Sequence, residues 1–361
     1  MKAGKSFARM LISNIPAIIQ IVLSHIHNGH MRSMFFSTDD NAGKKIYLLK
    51  PRGFCAGVVR AIDVVKITLD LYGPPVYVRK EIVHNKHVVE ELRRAGAVFV
   101  EELNEVPYGA RAIFSAHGVS PAVRREAQER FLQLIDATCP LVTKVHLEAV
   151  RFAKDGYSIV LIGHKDHDEV IGTLGEVPDQ TFLVETVEDV DRLVLPDPAK
   201  VCYLTQTTLS LDETRDIVER LKQRFPLIEG PPAQDICYAT QNRQMAVKEI
   251  APRCDLLLVV GSENSSNSKR LVEVAENSGV RAYLLNDRSD VNDSWLEGVR
   301  KIALTAGASA PEYLVQELLV FLAQRGFSEL EEVELVEEDV RFSLPPELSR
   351  AAANLTTISL R

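Results

Sequence analysis

Gly53-Phe54-Cys55-Ala56-Gly57 sets a cysteine immediately before a helical run. The same device returns as Asp136-Ala137-Thr138-Cys139-Pro140 and Asp235-Ile236-Cys237-Tyr238-Ala239. After Cys55, the apolar residues Val58, Ile62, Val65 and Leu69 recur every three or four positions. After Cys139, Leu141, Val145, Ala149 and Phe152 keep that rhythm, and after Cys237 it is looser, with Met245, Ala246 and Ile250 on one face. Each helix leads into a short β-rich run: Val76-Tyr77-Val78, residues 159–162 and residues 256–260. Each run ends in a polar loop, and His84, His167 and Ser265 stand 29, 28 and 28 residues after their cysteines.

The pattern continues outward from there. Ala112-Ile113-Phe114, residues 201–204 and Ile302-Ala303-Leu304 are strand-like, and each opens a small polar loop that runs into a helix start. Ser120 with Pro121 reads as an N-cap followed by proline at the first helical position. Ser210 with Glu213, and Ser309 with Glu312, read as capping boxes. Strands alternating with helices predict parallel sheets in an α/β fold. Three such units predict a pseudo-threefold arrangement in which the loops at the carboxyl ends of the strands meet at one centre. The expected division is an N-terminal extension over 1–45, units over 46–138, 139–236 and 237–345, and a C-terminal tail over 346–361, with the leading strand of the first unit open to joining the third. The acidic stretch Glu329 to Glu338 and Phe342-Ser343-Leu344 read as a surface strand or arm, and the last dozen residues as a frayed end.

With 361 residues, 46% hydrophobic and 25% charged, the chain has the composition of a soluble globular protein of several units. A net charge of −8 without a basic block argues against a nucleic-acid partner. Five cysteines in a chain of this length do not make a disulfide scaffold and point to a reducing, cytoplasmic setting. The apolar run from Met10 to Leu23 is interrupted by Asn14, Pro16 and Gln20 and is too short to span a bilayer, so no membrane association is expected. It reads as a loosely ordered extension, or as the product of an upstream start codon with Met31 or Met34 as the true start. His25, His27 and His30 cluster within it.

Buried hydrophobes are the default for lone cysteines, and structural zinc prefers closely spaced pairs. Recurrence at one position in each unit favours Cys55, Cys139 and Cys237 as ligands of an iron–sulfur cluster with one open iron, whereas Cys202 and Cys254 read as core. His84, His117 and His167 occupy strand-end loops, beside Thr207, Ser265, Ser266, Asn267 and Ser309, a donor set suited to phosphate without a basic cluster. Glu169 beside an open metal site is the natural proton donor, with a pKa raised by burial. No Walker loop and no GxGxxG is present, so a nucleotide or nicotinamide site has no support.

The strings Gly53-Phe54-Cys55-Ala56-Gly57-Val58, Val83-His84-Asn85, Ser115-Ala116-His117-Gly118-Val119-Ser120, Asp136-Ala137-Thr138-Cys139-Pro140-Leu141-Val142, Thr205-Gln206-Thr207-Thr208-Leu209-Ser210, Asp235-Ile236-Cys237, Ser265-Ser266-Asn267-Ser268 and Gly307-Ala308-Ser309 run in order through residues 46–345. On these the chain resembles the 4-hydroxy-3-methylbut-2-enyl diphosphate reductase family of the methylerythritol phosphate route to isoprenoids. The resemblance implies a trefoil of three α/β units around a 4Fe–4S cluster held by Cys55, Cys139 and Cys237, with the fourth iron taking the substrate hydroxyl. It implies that His84, His117, His167, Thr207, Ser265, Ser266, Asn267 and Ser309 hold the diphosphate and the hydroxyl. Glu169 would be the proton donor, with Thr207 and His167 as its catalytic partners. It implies products isopentenyl and dimethylallyl diphosphate, and ferredoxin or flavodoxin as the source of single electrons. Asp168 stands where the family often has proline, adding a negative charge near the site. The alternatives are another 4Fe–4S enzyme of the dehydratase type, a non-catalytic cluster sensor, and a zinc protein.

Overall fold

The computed structural model describes residues 43–349. The expectations for the N-terminal extension through residue 42, its histidines and alternative starts, and the final dozen residues lie outside that range.

The chain runs β1 (Lys44–Lys50), α1 (Ala56–Tyr72), β2 (Val76–Arg79), α2 (Lys86–Arg94), β3 (Ala97–Val100), β4 (Arg111–Phe114), α3 (Pro121–Glu129) and β5 (Gln133–Asp136). It continues with α4 (Pro140–Lys154), β6 (Ser158–Ile162), α5 (Asp168–Leu174), β7 (Thr181–Val184), α6 (Val187–Arg192), β8 (Val201–Thr205) and α7 (Leu211–Arg224). The last stretch holds α8 (Tyr238–Ile250), β9 (Leu256–Val260), α9 (Ser266–Asn277), β10 (Arg281–Leu285), β11 (Lys301–Ala306), α10 (Glu312–Ala323) and β12 (Phe327–Glu334). The strands form three parallel sheets, ordered β3-β2-β4-β5, β7-β6-β8 and β10-β9-β11-β1-β12. The fold is thus α/β, with three sheets among the described residues. The units differ in size, and β1 pairs between β11 and β12 rather than with the strands that follow it.

The centre of each sheet explains itself from sequence. Leu256-Leu257-Leu258-Val259-Val260 and Ser158-Ile159-Val160-Leu161-Ile162 are buried on every residue, as a parallel strand covered on both faces must be. β12 is the opposite case. Its Glu-rich sequence is mostly exposed at a sheet edge, where charge discourages pairing with another chain.

Helix packing follows the apolar rhythm with one correction. Val58, Ile62, Val65 and Leu69 are buried in α1, and Val145, Ala149 and Phe152 in α4. In α8 the buried face is Ala239, Arg243, Ala246, Val247 and Ile250, while Met245 is 52% exposed. Ala246 and Ile250 are buried as expected; Met245 is not, and Arg243, a charged residue, takes an interior place on the same face. Cys202 is fully buried within β8, and Cys254 is half-buried against the core beneath β9.

Candidate active site

Cys55, Cys139 and Cys237 are the N-cap residues of α1, α4 and α8. Their sulfurs therefore meet the positive ends of three helices, which favour thiolate. All three line one cavity of about 110 Å³, far more than the ~10–15 Å³ that one water requires. A Cβ built on Gly57 would stand 2.8 Å from the Cys139 Sγ and 3.8 Å from the Cys55 Sγ. The missing side chain at Gly57 is thus what leaves room around those two sulfurs. The Thr240 N–H donates to the Cys237 Sγ at 3.4 Å. None of the three is in a disulfide. Burial pushes the Cys139 thiol up to about 12 and Cys237 up to about 11, and the neighbouring sulfurs add to the rise. Three convergent thiols that repel one another's ionisation, with space kept clear beside them, suit a group carrying enough positive charge to bind all three as thiolates.

The rest of the cavity wall comes from strand ends. Glu169, near the N-terminus of α5, is 3% exposed. Burial raises its carboxyl to about 7, against the hydrogen bonds it accepts from Thr207: one from the backbone N–H at 2.6 Å and one from Oγ1 at 3.0 Å. The His167 side chain caps α5 by accepting the Glu169 N–H at Nδ1, 3.2 Å. That bond puts the ring proton on Nε2 and turns it outward as a donor. Burial holds His167 down at about 3 and His117 well below the usual imidazole range, with neighbouring imidazoles acting in the same direction.

The three histidines form one cluster. The His84 and His117 rings stack with centroids 4.0 Å apart, and the His167 ring stands edge-on to both at 5.5 and 5.9 Å. His117 Nδ1 lies 3.2 Å from the Ser115 Oγ, and His84 Nδ1 lies 3.4 Å from Glu81. Burial works against the Glu81 carboxyl, but hydrogen bonds from His84 and Asn264 leave it below the usual range. Asp168 brings its carboxylate within 4.8 Å of ring nitrogens of His84 and His117, so the charge expected at that position does reach the cluster.

On the opposite wall, Ser265 caps α9 by accepting from the Ser268 N–H, and Ser266 and Asn267 form its first turn. The Ser266 hydroxyl donates to the Thr208 carbonyl at 3.2 Å. Asn267 accepts from the Ala308 N–H at 2.9 Å and donates to the Thr240 Oγ1 at 3.3 Å. A helix N-terminus with free N–H groups faces the cavity here, an arrangement suited to an anion.

Every residue expected at the site from sequence lines this cavity: the three cysteines, His84, His117, His167, Glu169, Thr207, Ser265, Ser266, Asn267 and Ser309. One expected local role is wrong. Ser309 does not cap α10, whose N-cap is Pro311; its hydroxyl instead donates to the His84 carbonyl at 2.8 Å. The helix begins too late for a box at Ser309, and the side chain ties the third unit's loop to the first unit's. Sequence reasoning missed Glu81, Tyr238 and Phe342. Tyr238 directly follows Cys237, and its hydroxyl accepts from the Ala56 N–H at 3.3 Å, joining α8 to α1. Phe342 comes from the stretch read as a surface arm, yet it lines the cavity, and Leu348 beyond it is fully buried. The signal available was an apolar triplet, Phe342, Leu344 and Leu348, in an otherwise polar tail.

Residues 46–323 match the family model described as LytB protein. The 4-hydroxy-3-methylbut-2-enyl diphosphate reductase of Acidothermus cellulolyticus is 56% identical over 308 residues, 85% of this chain and 91% of that protein. That of Mycolicibacterium paratuberculosis is 57% identical over 309 residues, covering 85% of this chain and 93% of its own. Among solved structures, the E-1-hydroxy-2-methyl-but-2-enyl-4-diphosphate reductase of Plasmodium falciparum superposes with a TM-score of 0.85 at 46% identity, over 87% of this chain and 99% of that one. A family model matched over residues 46–323 and identities of 56% and 57% over 85% of the chain leave one conclusion: the chain belongs to the LytB family of 4-hydroxy-3-methylbut-2-enyl diphosphate reductases.

Proposed function

We propose that this protein is a 4-hydroxy-3-methylbut-2-enyl diphosphate reductase. It breaks the allylic C–O bond of (E)-4-hydroxy-3-methylbut-2-enyl diphosphate and forms a C–H bond. Two electrons and two protons are consumed, and water leaves with isopentenyl or dimethylallyl diphosphate. The observation that carries this reading is the single cavity in which three unpaired cysteines face a buried carboxyl and a histidine cluster. A 4Fe–4S cluster held by Cys55, Cys139 and Cys237 would supply the electrons and a Lewis-acidic iron when bound.

The chain's own residues do the rest. Glu169, its carboxyl raised to about 7, still holds its proton in a large share of molecules at neutral pH, and the Thr207 hydroxyl 3.0 Å away is placed to pass it to a leaving oxygen. His84, His117, His167, the α9 N-terminus with Ser265, Ser266 and Asn267, and Ser309 hold the diphosphate. Anchoring that end fixes the hydroxyl end against the sulfur-lined wall, which turns binding energy into orientation. Val58, Val83, Leu141 and Val142 line the wall and limit water around the reacting carbons. The electron donor is a single-electron carrier, ferredoxin or flavodoxin, since the sequence has neither a Walker loop nor a GxGxxG motif for a nucleotide or nicotinamide of its own. We read the protein as cytoplasmic, a reducing setting that suits its unpaired thiols; among the described residues no helix is long and apolar enough to cross a membrane. The three-unit division at residues 138/139 and 236/237 is part of the same reading.

The test is anaerobic purification or reconstitution, iron and sulfide analysis, and turnover with the hydroxylated diphosphate and a reduced carrier. Two electrons consumed per product are expected. Water loss without electron consumption would favour a dehydratase, and cluster binding without turnover a sensor. Cys→Ser at 55, 139 or 237 should abolish stable cluster, and Cys202→Ser should not.

A further inference from the structure

One buried imidazole outside the cavity touches three segments of the site at once. His146 lies two turns along α4 from the N-cap Cys139 and is 6% exposed. Its Nδ1 is 2.8 Å from the Oε1 of Glu176, just past the C-terminus of α5. The other nitrogen, Nε2, is buried and has no hydrogen-bond partner. What it meets is the backbone of two glycines. A Cβ on Gly118 would come within 3.2 Å of Nε2, and one on Gly172 within 3.1 Å of Cε1. Gly118 directly follows His117. Gly172 lies on α5, one turn after Glu169.

The ring is therefore a wedge between two backbones, seated on a third element. It separates the His117 turn from α5, and its own helix carries Cys139. Side chains at Gly118 or Gly172 would occupy the ring's place. The contact between the two backbones continues at Gly175, where a Cβ would collide with the Ser120 side chain. Glu176 fixes the ring's rotation, because a carboxylate oxygen accepts from Nδ1–H and leaves the ring edge against the glycines.

We propose that His146, oriented by Glu176, is a positioning residue. It sets the distance between the His117 turn and the α5 segment bearing His167 and Glu169, above the helix that presents Cys139. The proposal rests on the roles given above to His117 and Glu169. Its effect is geometric, and displacement of catalytic groups by about 1 Å can cost up to ~10²-fold in rate.

The test compares Glu176→Ala, which removes the acceptor, with Glu176→Gln, which keeps one. Two readouts need no cluster: the imidazole proton resonances of His117 and His167 in the apoprotein, and its affinity for inorganic diphosphate by calorimetry. In Glu176→Ala, shifted His117 and His167 resonances and diphosphate affinity weaker by roughly 10-fold are expected, with kcat per bound cluster lower by a similar factor. Glu176→Gln should restore all three to within about 2-fold of wild type. A lower melting temperature in Glu176→Ala with unchanged resonances, affinity and kcat would overturn the proposal and leave a purely structural pair. Should Glu176→Ala fail to fold, His146→Asn keeps a donor near the Nδ1 position and removes the wedge; the same resonance and affinity changes are expected there, and their absence overturns the proposal equally. Absent reductase turnover in wild type would count against the proposed function alone, since the resonance and diphosphate readouts stand without it.

Discussion

Glu169 shows how one residue can be both necessary and costly. Its carboxyl sits in a dry cavity where only the neutral form is cheap, so burial lifts it to about 7 from an ordinary 4.5. The folded apoprotein thus holds this proton more tightly than the unfolded chain. The stability tied to the proton is fully present below about pH 4.5 and is lost as pH rises through about 7. Glu169→Gln removes that loss. Thermal unfolding of the apoprotein should show the variant more stable than wild type by about 3 kcal/mol near pH 8, and the two alike near pH 4. The same substitution should cut turnover by a factor of about 10²–10⁴, because the general acid is gone while the diphosphate contacts remain. In wild type kcat should fall as pH rises above about 7, when Glu169 loses its proton. Steady-state kinetics at constant cluster content measures both. The identity of this residue was legible from its place after His167 in a strand-end loop. Thr207 was expected as its partner through the family resemblance, but the two hydrogen bonds between them were not legible, because the two residues meet only when β6 and β8 pair.

Helices carry the cysteines, and the element scale explains why three isolated cysteines work without a close pair. Each is an N-cap, so each cysteine enters the site from the same position on its own helix, whatever the loop before it. Gly57, in the first turn of α1, is the counterpart that keeps the space open. Gly57→Ala places a methyl 2.8 Å from the Cys139 sulfur, closer than a carbon–sulfur contact tolerates. The variant should fold as apoprotein, with circular dichroism like that of wild type, yet take up much less iron on anaerobic reconstitution. Normal iron content would show that the sulfurs do not converge on the space beside Gly57. The helical rhythm after each cysteine was readable from spacing alone. In α8 it found Ala246 and Ile250 but took the exposed Met245 as buried and missed the buried charge at Arg243, because spacing rules count only apolar residues.

That arginine belongs to the scale of the whole molecule. Arg243 is fully buried, and it joins its own helix to two distant segments: it donates to the Ala239 carbonyl one turn back, to the Gly53 carbonyl before Cys55, and to Glu338 of the C-terminal arm at 3.0 Å. Arg60 on α1 donates to the arm at the Ser343 carbonyl and to the Ala137 and Thr138 carbonyls before Cys139. Between those anchors Phe342 reaches the cavity wall. Glu338→Ala would leave a buried guanidinium without its counterion, at a cost of about 3 kcal/mol. The melting temperature should fall and bound cluster should bleach faster in air, whereas exposed pairs such as Lys50–Glu334 should be nearly silent when removed. An unchanged bleaching rate in Glu338→Ala would separate the arm from protection of the cavity.

By itself the sequence determined the α/β alternation, the three cysteines as a set, and the polar loops that end the strands. Each is written in local periodicity and in residue types whose chemistry has few other uses. Tertiary structure alone decided that β1 joins the third sheet between β11 and β12, that Ser309 ties to His84 rather than capping a helix, and that the arm returns Phe342 to the cavity. Those outcomes depend on contacts between residues tens to hundreds of positions apart. Such contacts are selected by the burial of whole surfaces and by the pairing of buried charges, and no short window of sequence records either.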